Sequence, residues 1–574
     1  MKFLITVLII LALCFIIWFV TYRKSGKCPL CAMEKIKMPT KITINIENEE
    51  NYNNGAALTP PMGWSSWNTF RQNISEELIL NTADAMKKSG LLEAGYQYIN
   101  LDDCWQSSMR DKNGRLQGDL EKFPNGISNL ITKVNAMGMK VGLYSSNGTL
   151  TCEDLPASLG KEEIDAKTIA GWGCEFFKYD FCHHQIISGD APVIEAVEIS
   201  RPGSTAELIL KPEDAKLDGR ARILNIKALP SGKGIGLINH GAGKITFSPV
   251  VNFEGNYVIT LLTYKTYTRH QQYIQVIVNG ELHEVFFPKT RASSPTGRTQ
   301  LSVKLKGGSN EVIIQNPIKT FADSSYIQYK RMGNALKKAV QDTASEYGIA
   351  EKPIVYSICE WGNAFPWNWG AKAGNMWRTT PDITAKWFSV HGIYKYTLKL
   401  YKSAGVGNWN DPDMLEVGNG NFTDDENKTH FSLWCMLAAP LILGNDIRKF
   451  IDANGNPATN NETLKTVTNK SLILIDQDPL GKPAKKIKTS HGIDIIARPL
   501  ANGDVAICFY NKSSHVKGFS YDINELVTDE YLNFEATGSS YAIHELWNNE
   551  RFTAKTISAT LSKHACKVFR ISQL

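Results

Sequence analysis

The chain has 574 residues, a length that predicts about two to four domains of roughly 100 to 200 residues each. Hydrophobic residues make up 43% of the sequence and charged residues 21%, a composition that excludes a collagen-like, disordered or multi-span membrane protein. The net charge of +6 is too dilute for a nucleic-acid-binding surface, so we expect no nucleic-acid partner.

The N-terminal residues 3–20 carry no charge, a length that fits either a long signal peptide or a single membrane anchor of about 17 to 25 residues. Bulky residues at 15–19 and the lack of a small-x-small cleavage site favour an anchor. Arg23 and Lys24 then lie on the wrong side for an exported domain under the positive-inside rule. We still expect export, as a secreted, periplasmic or membrane-anchored protein that meets a membrane only through this segment.

Between residues 58 and 190, short apolar strands alternate with helical stretches, a rhythm that predicts a parallel sheet. The rhythm resumes after residue 328, with four strands on each side of the interruption. Eight such units, without a G-x-G-x-x-G turn, favour an α/β fold of the (β/α)8 TIM barrel type over a doubly wound sheet. The predicted strands are 62–67, 98–105, 139–146, 175–182, 353–361, 375–382, 405–414 and 441–446, and the predicted helices are 75–90, 127–137, 164–171 and 329–347.

The interruption has period-two strands and almost no helix, which predicts a β-sandwich inserted into the barrel. The end of the chain is strand-like again and predicts a C-terminal antiparallel β-sandwich. The predicted domains are the hydrophobic segment and linker (1–55), the first part of the barrel (56–190), the insertion (191–327), the second part of the barrel (328–475) and the terminal sandwich (476–574).

Polar and aromatic residues cluster at the predicted C-terminal ends of the barrel strands, where a barrel of this kind places its chemistry. A single aspartate at such a position can be explained as the cap of the following helix. Helix capping does not explain why polar and aromatic residues recur at the ends of many strands. Carboxylates accept hydrogen bonds from sugar hydroxyls and indole rings cover the apolar face of a pyranose, so the cluster predicts a sugar site. Its members are Trp64, Trp67, Asp102, Asp103, Tyr144, Lys178, Asp180, Cys359, Glu360, Trp361, Arg378, Asp382, Trp409, Asp411 and Asp413.

Other chemistries fit the sequence poorly. It contains no P-loop for phosphate binding and no G-x-S-x-G motif for a serine nucleophile. His183 and His184 are adjacent rather than three or four residues apart, so we expect no metal site, and no motif calls for another cofactor. A pair of carboxylates therefore remains as the predicted catalytic machinery.

Six motifs in these strand ends resemble glycoside hydrolase family 27, the family of α-galactosidases and α-N-acetylgalactosaminidases, and they occur in the family's order. The resemblance covers both parts of the barrel and the terminal sandwich, and six ordered motifs are far more specific than one. The motifs are PMGW at 61–64, DDCW at 102–105, KYDFC at 178–182, CEW at 359–361, WRTTPDI at 377–383 and WNDPDML at 409–415.

The resemblance implies a retaining double displacement with Asp180 as the nucleophile and Asp382 as the general acid/base. Lys178 lies two residues before Asp180 on the same strand face, so we expect its charge to favour the ionised Asp180 carboxylate. Asp382 must donate a proton to the leaving oxygen, so we expect its surroundings to raise its pKa. Carboxyl groups that act in this way are expected about 5 to 5.5 Å apart.

The resemblance also implies a galactose-binding subsite and a disulfide between Cys152 and Cys182, which agrees with an exported protein. The family often has a cysteine after the stretch 67–70 that pairs with the position of Cys104. Arg71 and its two successors follow here instead, so we expect Cys104 to be a free thiol. The expected subsite residues are Trp67, Asp102, Asp103, Tyr144, Lys178, Cys359, Glu360, Trp361, Arg378 and Asp413.

The substrate expected from the resemblance is a terminal α-galactoside of an oligosaccharide or glycoconjugate. Trp361 shares a face with Cys359 while Glu360 points away, and the indole leaves little room for a 2-acetamido group. An α-N-acetylgalactosaminidase and a β-L-arabinopyranosidase of the same family stay open as alternatives, as does a non-catalytic galactose-binding surface protein. The insertion resembles carbohydrate-binding modules of the β-sandwich kind, with Tyr264, Tyr267 and Tyr273 as candidate platforms, although a purely structural insertion is an alternative.

Overall fold

The computed structural model describes residues 42–265, 271–287, 294–535 and 540–574, and the hydrophobic segment at 3–20 lies outside these ranges. No helix in the described ranges is long and apolar enough to cross a membrane. The described residues form two compact units. One contains 50–183 and 329–574, and the other contains 42–49 and 184–328.

The first unit contains an eight-stranded sheet in which every neighbouring pair of strands is parallel. A parallel bridge between Leu415 and Leu443 joins the region after the seventh strand to the eighth, so the sheet curls into the predicted barrel. The eight barrel strands are β1 (Met62–Ser65), β2 (Tyr98–Asn100), β3 (Lys140–Ser146), β4 (Phe176–Asp180), β5 (Val355–Ile358), β6 (Met376–Arg378), β7 (Trp409–Asp411) and β8 (Leu441–Leu443).

Most barrel strands end earlier than the sequence pattern predicts, and the residues after them form loops. Cys104 has φ 71°, Trp361 has φ 59° and Asp413 has φ 79°, and a positive φ is incompatible with an extended strand. After β2, β5 and β7 the chain therefore leaves the extended conformation within a few residues of the strand end. Many of the sugar-site candidates lie in these loops, where backbone strain of this kind is often found.

Helices connect the barrel strands except between β5 and β6, where the chain makes only 3₁₀ turns. Ser75 caps the first long helix by accepting a hydrogen bond from the backbone N–H of Leu78, and acidic residues in its first turn and lysines in its last suit the helix dipole. The α-helices in the described ranges are Trp67–Phe70, Glu76–Lys88, Ile127–Ala136, Glu162–Gly171, Phe321–Tyr347, Trp387–Thr397, Asp424–Met436, Glu462–Val467 and Lys470–Asp476.

The first unit also contains the predicted C-terminal antiparallel β-sandwich. A six-stranded and a two-stranded sheet share a core in which Phe509, Tyr521 and Phe569 pack together. In the order of the sheets, the strands are Lys485–Ser490, Ile493–Pro499, Val505–Asn511, Cys566–Ser572, Tyr541–Glu545 and Arg551–Ala554, then Lys517–Asp522 and Thr556–Leu561.

The second unit consists mainly of two antiparallel sheets around one hydrophobic core, which is the arrangement predicted for the insertion. Its Tyr273 is fully buried and its hydroxyl donates to Glu284, so this candidate cannot act as a sugar platform. Tyr267 lies outside the described residues. The strands are Val193–Ser200, Ala206–Leu210, Lys216–Gly219, Arg222–Asn225, Lys233–Gly236, Gly243–Phe247, Val250–Val251, Gly255–Lys265, Gln272–Val278, Glu281–Phe287, Ser294–Leu305, Gly308–Ser309 and Val312–Gln315.

Asp323 ties residues 42–49 to the second unit. Its buried carboxylate accepts hydrogen bonds from the backbone N–H groups of Thr43 (2.9 Å) and Ile44 (3.0 Å). It also accepts from the N–H groups of Lys319 (3.0 Å) and Thr320 (2.8 Å) at the start of a helix. These bonds outweigh the effect of burial, so the pKa of Asp323 lies below its usual value.

We expect Asp323→Asn to destabilise the protein by about 2 to 3 kcal/mol at neutral pH, because an amide cannot accept all of these hydrogen bonds. A lowered folded-state pKa gives stability that is present above the unfolded value, about 3.9, and lost as the pH falls through the folded pKa. Calorimetric unfolding at neutral and acidic pH should therefore show a difference between wild type and Asp323→Asn that shrinks in acid. Asp218→Asn, a half-exposed aspartate of the same unit, is the control, and an equal effect of both variants would contradict the account.

Candidate active site

The C-terminal ends of the barrel strands place most of the candidate residues next to one another. The parallel register sets Tyr144 beside Lys178 and Ser146 beside Asp180, while Arg378 on β6 lies beside Asp411 on β7. Since inward-pointing side chains of adjacent strands meet in a barrel, the charged groups converge on its interior. They line a cavity with Asp102, Lys178, Arg378, Asp411 and Asp413 among its walls.

Asp180, at the end of β4, has both carboxylate oxygens held. The Tyr144 hydroxyl donates to Oδ2 at 2.9 Å and the backbone N–H of Phe181 donates to Oδ1 at 2.9 Å. The backbone carbonyl of Asp180 accepts from the Tyr329 hydroxyl at 2.9 Å and from the Asn147 N–H at 2.8 Å. A carboxylate fixed at both oxygens and through its backbone has one orientation, as a positioned nucleophile requires.

Asp102 and Asp103 follow β2 and have different partners. The Lys178 ammonium group lies 2.7 Å from Asp102 Oδ2, and both side chains are largely buried. Asp103 accepts hydrogen bonds from the backbone N–H groups of Cys104 (2.7 Å) and Glu153 (3.0 Å). Burial raises the pKa of Asp103 to about 6, so this carboxyl gains most from a ligand that donates hydrogen bonds to it.

Arg378 joins the other two candidate carboxylates. Its Nη2 lies 2.8 Å from Asp413 Oδ2 and 3.1 Å from Asp382 Oδ1. Asp413 is buried and its Oδ2 also accepts the backbone N–H of Ile383, whereas the Asp382 side chain is 67% exposed. Asp382 therefore lies at the open side of the cluster, and Asp413 anchors the arginine from within.

Burial and neighbouring charges shift the pKa values of Asp180 and Asp382 in opposite directions. Burial raises the pKa of Asp180 above its usual value, and the lowering effect of Lys178 does not overcome it. Burial also acts on Asp382, but the Arg378 guanidinium, helped by Lys178, outweighs it and lowers the pKa of Asp382. The expectation of a raised pKa for Asp382 is therefore wrong, because Arg378 contacts its carboxylate. The charge of Lys178 favours the ionised Asp180 carboxylate as expected, but burial outweighs this effect in the pKa of Asp180.

The aromatic candidates divide into surface and core residues. Trp67 and Trp361 are partly exposed, and the Trp361 ring meets the ring of Phe181 edge-on with centroids 5.6 Å apart. Trp64 and Trp409 are fully buried and donate to backbone carbonyls, so neither can cover a sugar. The indole face predicted for a pyranose is therefore available at two of the four strand-end tryptophans.

Cys359, after β5, lies inside the polar cluster. Its thiol is 3.7 Å from Arg378 Nη1 and shares a hydrogen bond with Asp180. Burial and the neighbouring Asp180 carboxylate raise the pKa of Cys359 well above its usual value, so the thiol stays neutral. A neutral thiol can donate a hydrogen bond to Asp180, which supports the placement of Cys359 in the site.

Glu360 is the candidate that does not join the cluster. Its carboxylate is fully buried, and Oε2 accepts a hydrogen bond from the backbone N–H of Ala364, four residues later in the chain, at 2.7 Å. Its Oε1 lacks a hydrogen-bond partner among the described residues, and burial raises the pKa of Glu360 well above its usual value. Glu360 therefore supports the loop after β5 rather than a sugar, and we leave it out of the subsite.

Glu360→Gln should give a protein with a higher melting temperature at neutral pH. A raised folded-state pKa gives stability that is present below the unfolded value, about 4.3, and lost as the pH rises towards the folded pKa. Glutamine removes this loss and keeps the acceptor for Ala364, so melting curves of wild type and variant should diverge between about pH 4 and pH 7. Glu121→Gln, at an exposed glutamate, is the control; a lower melting temperature of Glu360→Gln at neutral pH would count against this account.

The cysteines near the site agree with their sequence predictions. A disulfide joins Cys152 to Cys182, with the Cα atoms 5.0 Å apart, and Cys104 is a buried free thiol. The Cys152 sulfur lies 3.7 Å from Asp180 Oδ2. These two half-cystines and Asp180 form the one group of clustered metal-type ligands in the described ranges, but disulfide sulfurs carry no thiolate for a metal.

Two residues near the site were missing from the sequence prediction. Glu416 is buried, and its carboxylate accepts from the side chains of Asn68 (2.5 Å) and Asn419 (2.7 Å), which links the loops after β1 and β7. The signal for Glu416 was its position directly after the WNDPDML stretch. Arg71 follows the first short helix, and its guanidinium carbon lies 5.2 Å from the centroid of the Trp67 ring.

Comparison with known families gives matches over most of the chain. The model of the family described as Alpha galactosidase A matches residues 59–197 and 316–478, which together exceed half of the chain. A second model, described as the Alpha galactosidase C-terminal beta sandwich domain, matches residues 490–571. The unmatched stretch 198–315 lies within the second unit.

Individual relatives agree with these matches. An alpha-galactosidase of Oryza sativa subsp. japonica is 29% identical over 521 residues, which cover 90% of this chain and 86% of the relative. Alpha-galactosidase A of Cellvibrio japonicus is 29% identical over 531 residues, covering 90% and 92%. Among solved structures, alpha-galactosidase I from Mortierella vinacea is similar with a TM-score of 0.61 and 26% identity, covering 91% of this chain and 98% of that one.

Proposed function

The chain belongs to the alpha-galactosidase A family, glycoside hydrolase family 27, and we propose that it hydrolyses terminal, non-reducing α-D-galactosyl residues by a retaining double displacement. The observation that carries the proposal is a pair of carboxyl groups, one buried and one exposed. Asp180 is buried, and both of its carboxylate oxygens accept hydrogen bonds. Asp382 is exposed and contacts Arg378. Its charge also influences the pKa of Asp180, so the two groups are close to each other. One group is suited to attack and the other to exchange protons with the leaving group and water.

In the first step, the Asp180 carboxylate attacks the anomeric carbon while Asp382 protonates the departing oxygen. The hydrogen bonds from Tyr144 and the Phe181 N–H orient the attacking oxygens. A bound galactoside displaces water from Asp382, and the loss of solvation raises its pKa towards the value that an acid needs. Asp180 then carries the galactosyl group as an ester, and the leaving group departs as a neutral alcohol.

In the second step, Asp382 is ionised and removes a proton from water, which attacks the anomeric carbon and restores the Asp180 carboxylate. The Arg378 guanidinium favours this ionised form of Asp382, with which it lies in contact at 3.1 Å. Two inversions at the same carbon give galactose with its original α configuration. The lowered pKa of the free enzyme therefore serves the base step, and substrate binding serves the acid step.

The proposed sugar subsite combines charged hydrogen-bonding groups with two partly exposed tryptophans, Trp67 and Trp361. Asp102, Asp103 and Lys178 would bind hydroxyls on one edge of the ring, where a site built around a hydroxyl rejects the analogue that cannot fill its hydrogen bonds. Arg378 and Asp413 would bind the opposite edge. The remaining members are Trp67, Tyr144, Cys359 and Trp361.

Export is also part of the proposal. A disulfide between Cys152 and Cys182 next to the nucleophile persists in an oxidising compartment and is reduced in a cytoplasm. The proposal includes the five-part domain division predicted from the sequence, with a membrane contact only through residues 3–20.

The proposal is tested by assaying the full-length chain on 4-nitrophenyl α-galactoside, α-N-acetylgalactosaminide and β-L-arabinopyranoside side by side. We expect the galactoside to have the highest kcat/KM, because the partly exposed Trp361 indole at the edge of the site would leave little room for a 2-acetamido group. Trp361→Ala should raise the ratio of kcat/KM for the acetamido sugar over galactose by about tenfold, a typical worth of one steric contact. A preferred acetamido or arabinosyl substrate would select one of the alternative activities.

A non-catalytic galactose-binding protein is the alternative of another class. Binding of galactose in calorimetry without turnover of any aryl α-galactoside by the wild-type chain would favour it over the hydrolase. Hydrolysis that is lost in Asp180→Asn would exclude it.

A further inference from the structure

Arg71 has a backbone conformation that favours glycine. Its φ of 51° and ψ of −125° lie outside the regions that residues with a Cβ usually adopt, and its backbone N–H donates to the Trp67 carbonyl at 2.9 Å. Strain of this kind persists where the surrounding structure requires it, and it concentrates at active sites and ligand-binding loops. A glycine would be less strained at this position, yet the chain places a long cationic side chain there.

The Arg71 side chain lies over Trp67 and remains available to a ligand. The guanidinium carbon is 5.2 Å from the centroid of the Trp67 ring, a cation–π distance. Arg71 is exposed, and within the described ranges no carboxylate forms an ion pair with it. A guanidinium that rests on an aromatic face keeps its N–H edge free for a carboxylate, sulfate or phosphate oxygen.

Arg71 is also close to the group that is proposed to protonate the leaving oxygen. Its charge contributes to the lowered pKa of Asp382 and acts against the raised pKa of Glu416. Asp382 is at the open side of the carboxylate cluster, where the leaving group of a bound galactoside must lie. Arg71 therefore contacts Trp67, a residue of the proposed sugar site, and its charge acts on Asp382, the residue nearest the departing oxygen in the proposed reaction.

We propose that Arg71 forms a subsite for an anionic group on the leaving group, so that the enzyme favours α-galactosides whose aglycone carries a carboxylate, sulfate or phosphate. The inference rests on the proposed galactosidase function and narrows its substrate class. The subsite would distinguish this chain from many members of the family, because Arg71 and the two residues after it stand where the family often has a cysteine.

The Arg71 charge should lower the rate of hydrolysis of a galactoside with a neutral aglycone. A positive charge beside Asp382 makes its carboxyl a poorer proton donor, because the ionised form is favoured. An anion bound to Arg71 neutralises that charge at the moment when Asp382 must hold its proton. An anionic aglycone would thus restore the ability of Asp382 to donate its proton, and a neutral aglycone would not.

The test compares 4-carboxyphenyl and 4-carbamoylphenyl α-galactoside, which differ mainly in charge, with the full-length chain. The quantity measured is the ratio of kcat/KM for the anionic over the neutral substrate. Arg71→Gln should lower this ratio about fivefold at low ionic strength, the size expected for one solvent-exposed charge pair. Arg71→Lys should keep most of the ratio, and added salt should lower it in wild type but not in Arg71→Gln.

Arg115→Gln is the matched control, because Arg115 is an exposed arginine in a turn whose side chain has no ion pair in the described ranges. It should leave the ratio unchanged. Arg71→Gly should raise the melting temperature while it lowers the ratio, since glycine relieves the strained backbone and removes the cation. An unchanged ratio in Arg71→Gln, or an equal fall in Arg115→Gln, would overturn the subsite. Failure of the wild type to hydrolyse even the neutral galactoside would instead overturn the proposed function.

Discussion

Replacement of Asp180 by alanine is expected to lower kcat for α-galactoside hydrolysis by at least about 10⁴-fold, as loss of a catalytic nucleophile does in other enzymes. The variant keeps the sugar-binding groups but has no carboxylate to form the glycosyl ester. Steady-state assays with an aryl α-galactoside measure the loss, and Asp84→Ala, at a half-exposed aspartate of the first long helix, is the control. Turnover of Asp180→Ala within tenfold of wild type would refute the assignment.

The loss of activity should not come from unfolding. Burial raises the pKa of Asp180, so the ionised carboxylate costs stability at neutral pH, and this cost disappears when the group cannot ionise. Asp180→Asn, which keeps the shape of the side chain, is therefore expected to melt at or above the temperature of wild type. A much lower melting temperature would show that inactivity of the variant is no evidence for a catalytic role.

Added azide should separate the roles of the two aspartates. In Asp180→Ala, azide can take the place of the missing carboxylate on the β face and give β-galactosyl azide. In Asp382→Ala, azide attacks the glycosyl ester from the α face, because no base is needed for an anion, and gives α-galactosyl azide. Proton NMR of the products distinguishes the anomers, and the opposite pattern would exchange the two roles.

Asp382→Ala is expected to show a dependence on the leaving group that Asp180→Ala does not show. For methyl α-galactoside, whose leaving oxygen needs a proton, kcat/KM should fall by about 10³-fold, within the usual contribution of a general acid. For 2,4-dinitrophenyl α-galactoside, whose leaving group departs as an anion, kcat/KM should fall by less than about tenfold. Kinetics with both substrates measure the difference.

Equal losses with the two leaving groups would contradict the acid role of Asp382. Asp84→Ala should leave both substrates unaffected. The two pKa directions add a condition on pH, because kcat/KM reports the free enzyme and its active form needs Asp382 protonated and Asp180 ionised. Since the pKa of Asp382 is lowered and that of Asp180 is raised, kcat/KM for methyl α-galactoside should decline as the pH rises above the higher value, that of Asp180, where only the loss of the Asp382 proton continues. Asp382→Ala should lose this decline, since it has no proton to give up.

The barrel could be predicted from the sequence because its strands are short buried apolar runs separated by helices at regular spacing. The helix Asp424–Met436 was missed since most of its residues are buried, including Thr429, His430 and Ser432, which leaves no apolar stripe for a periodicity argument. The ends of the strands were placed too late because the sequence does not reveal that Cys104 and Asp413 have a positive φ.

The residue types of the site could be predicted, but their pairing could not. Lys178 and Asp180 lie on one strand face, and the sequence offers no sign that the ammonium group binds Asp102 on a neighbouring strand at 2.7 Å. The contact between Arg378 and Asp382 likewise depends on the turn after β6. A pKa direction is set by such three-dimensional contacts, and for that reason the expectation for Asp382 had the wrong sign. The expected effect of Lys178 on Asp180 had the right sign but is smaller than the effect of burial.

The central claim is that Asp180 forms a covalent bond to galactose, and capture of that intermediate tests it most directly. Incubation with 5-fluoro-α-D-galactosyl fluoride, whose fluorine slows hydrolysis of the ester, followed by acidic digestion and mass spectrometry, locates the attached sugar. The account predicts one fluorogalactosyl group on the peptide that contains Asp180 and none in Asp180→Asn. A sugar attached to Asp382 or to another residue, or turnover of the reagent with no labelled peptide and with the β anomer of 5-fluorogalactose as the first product, would contradict it.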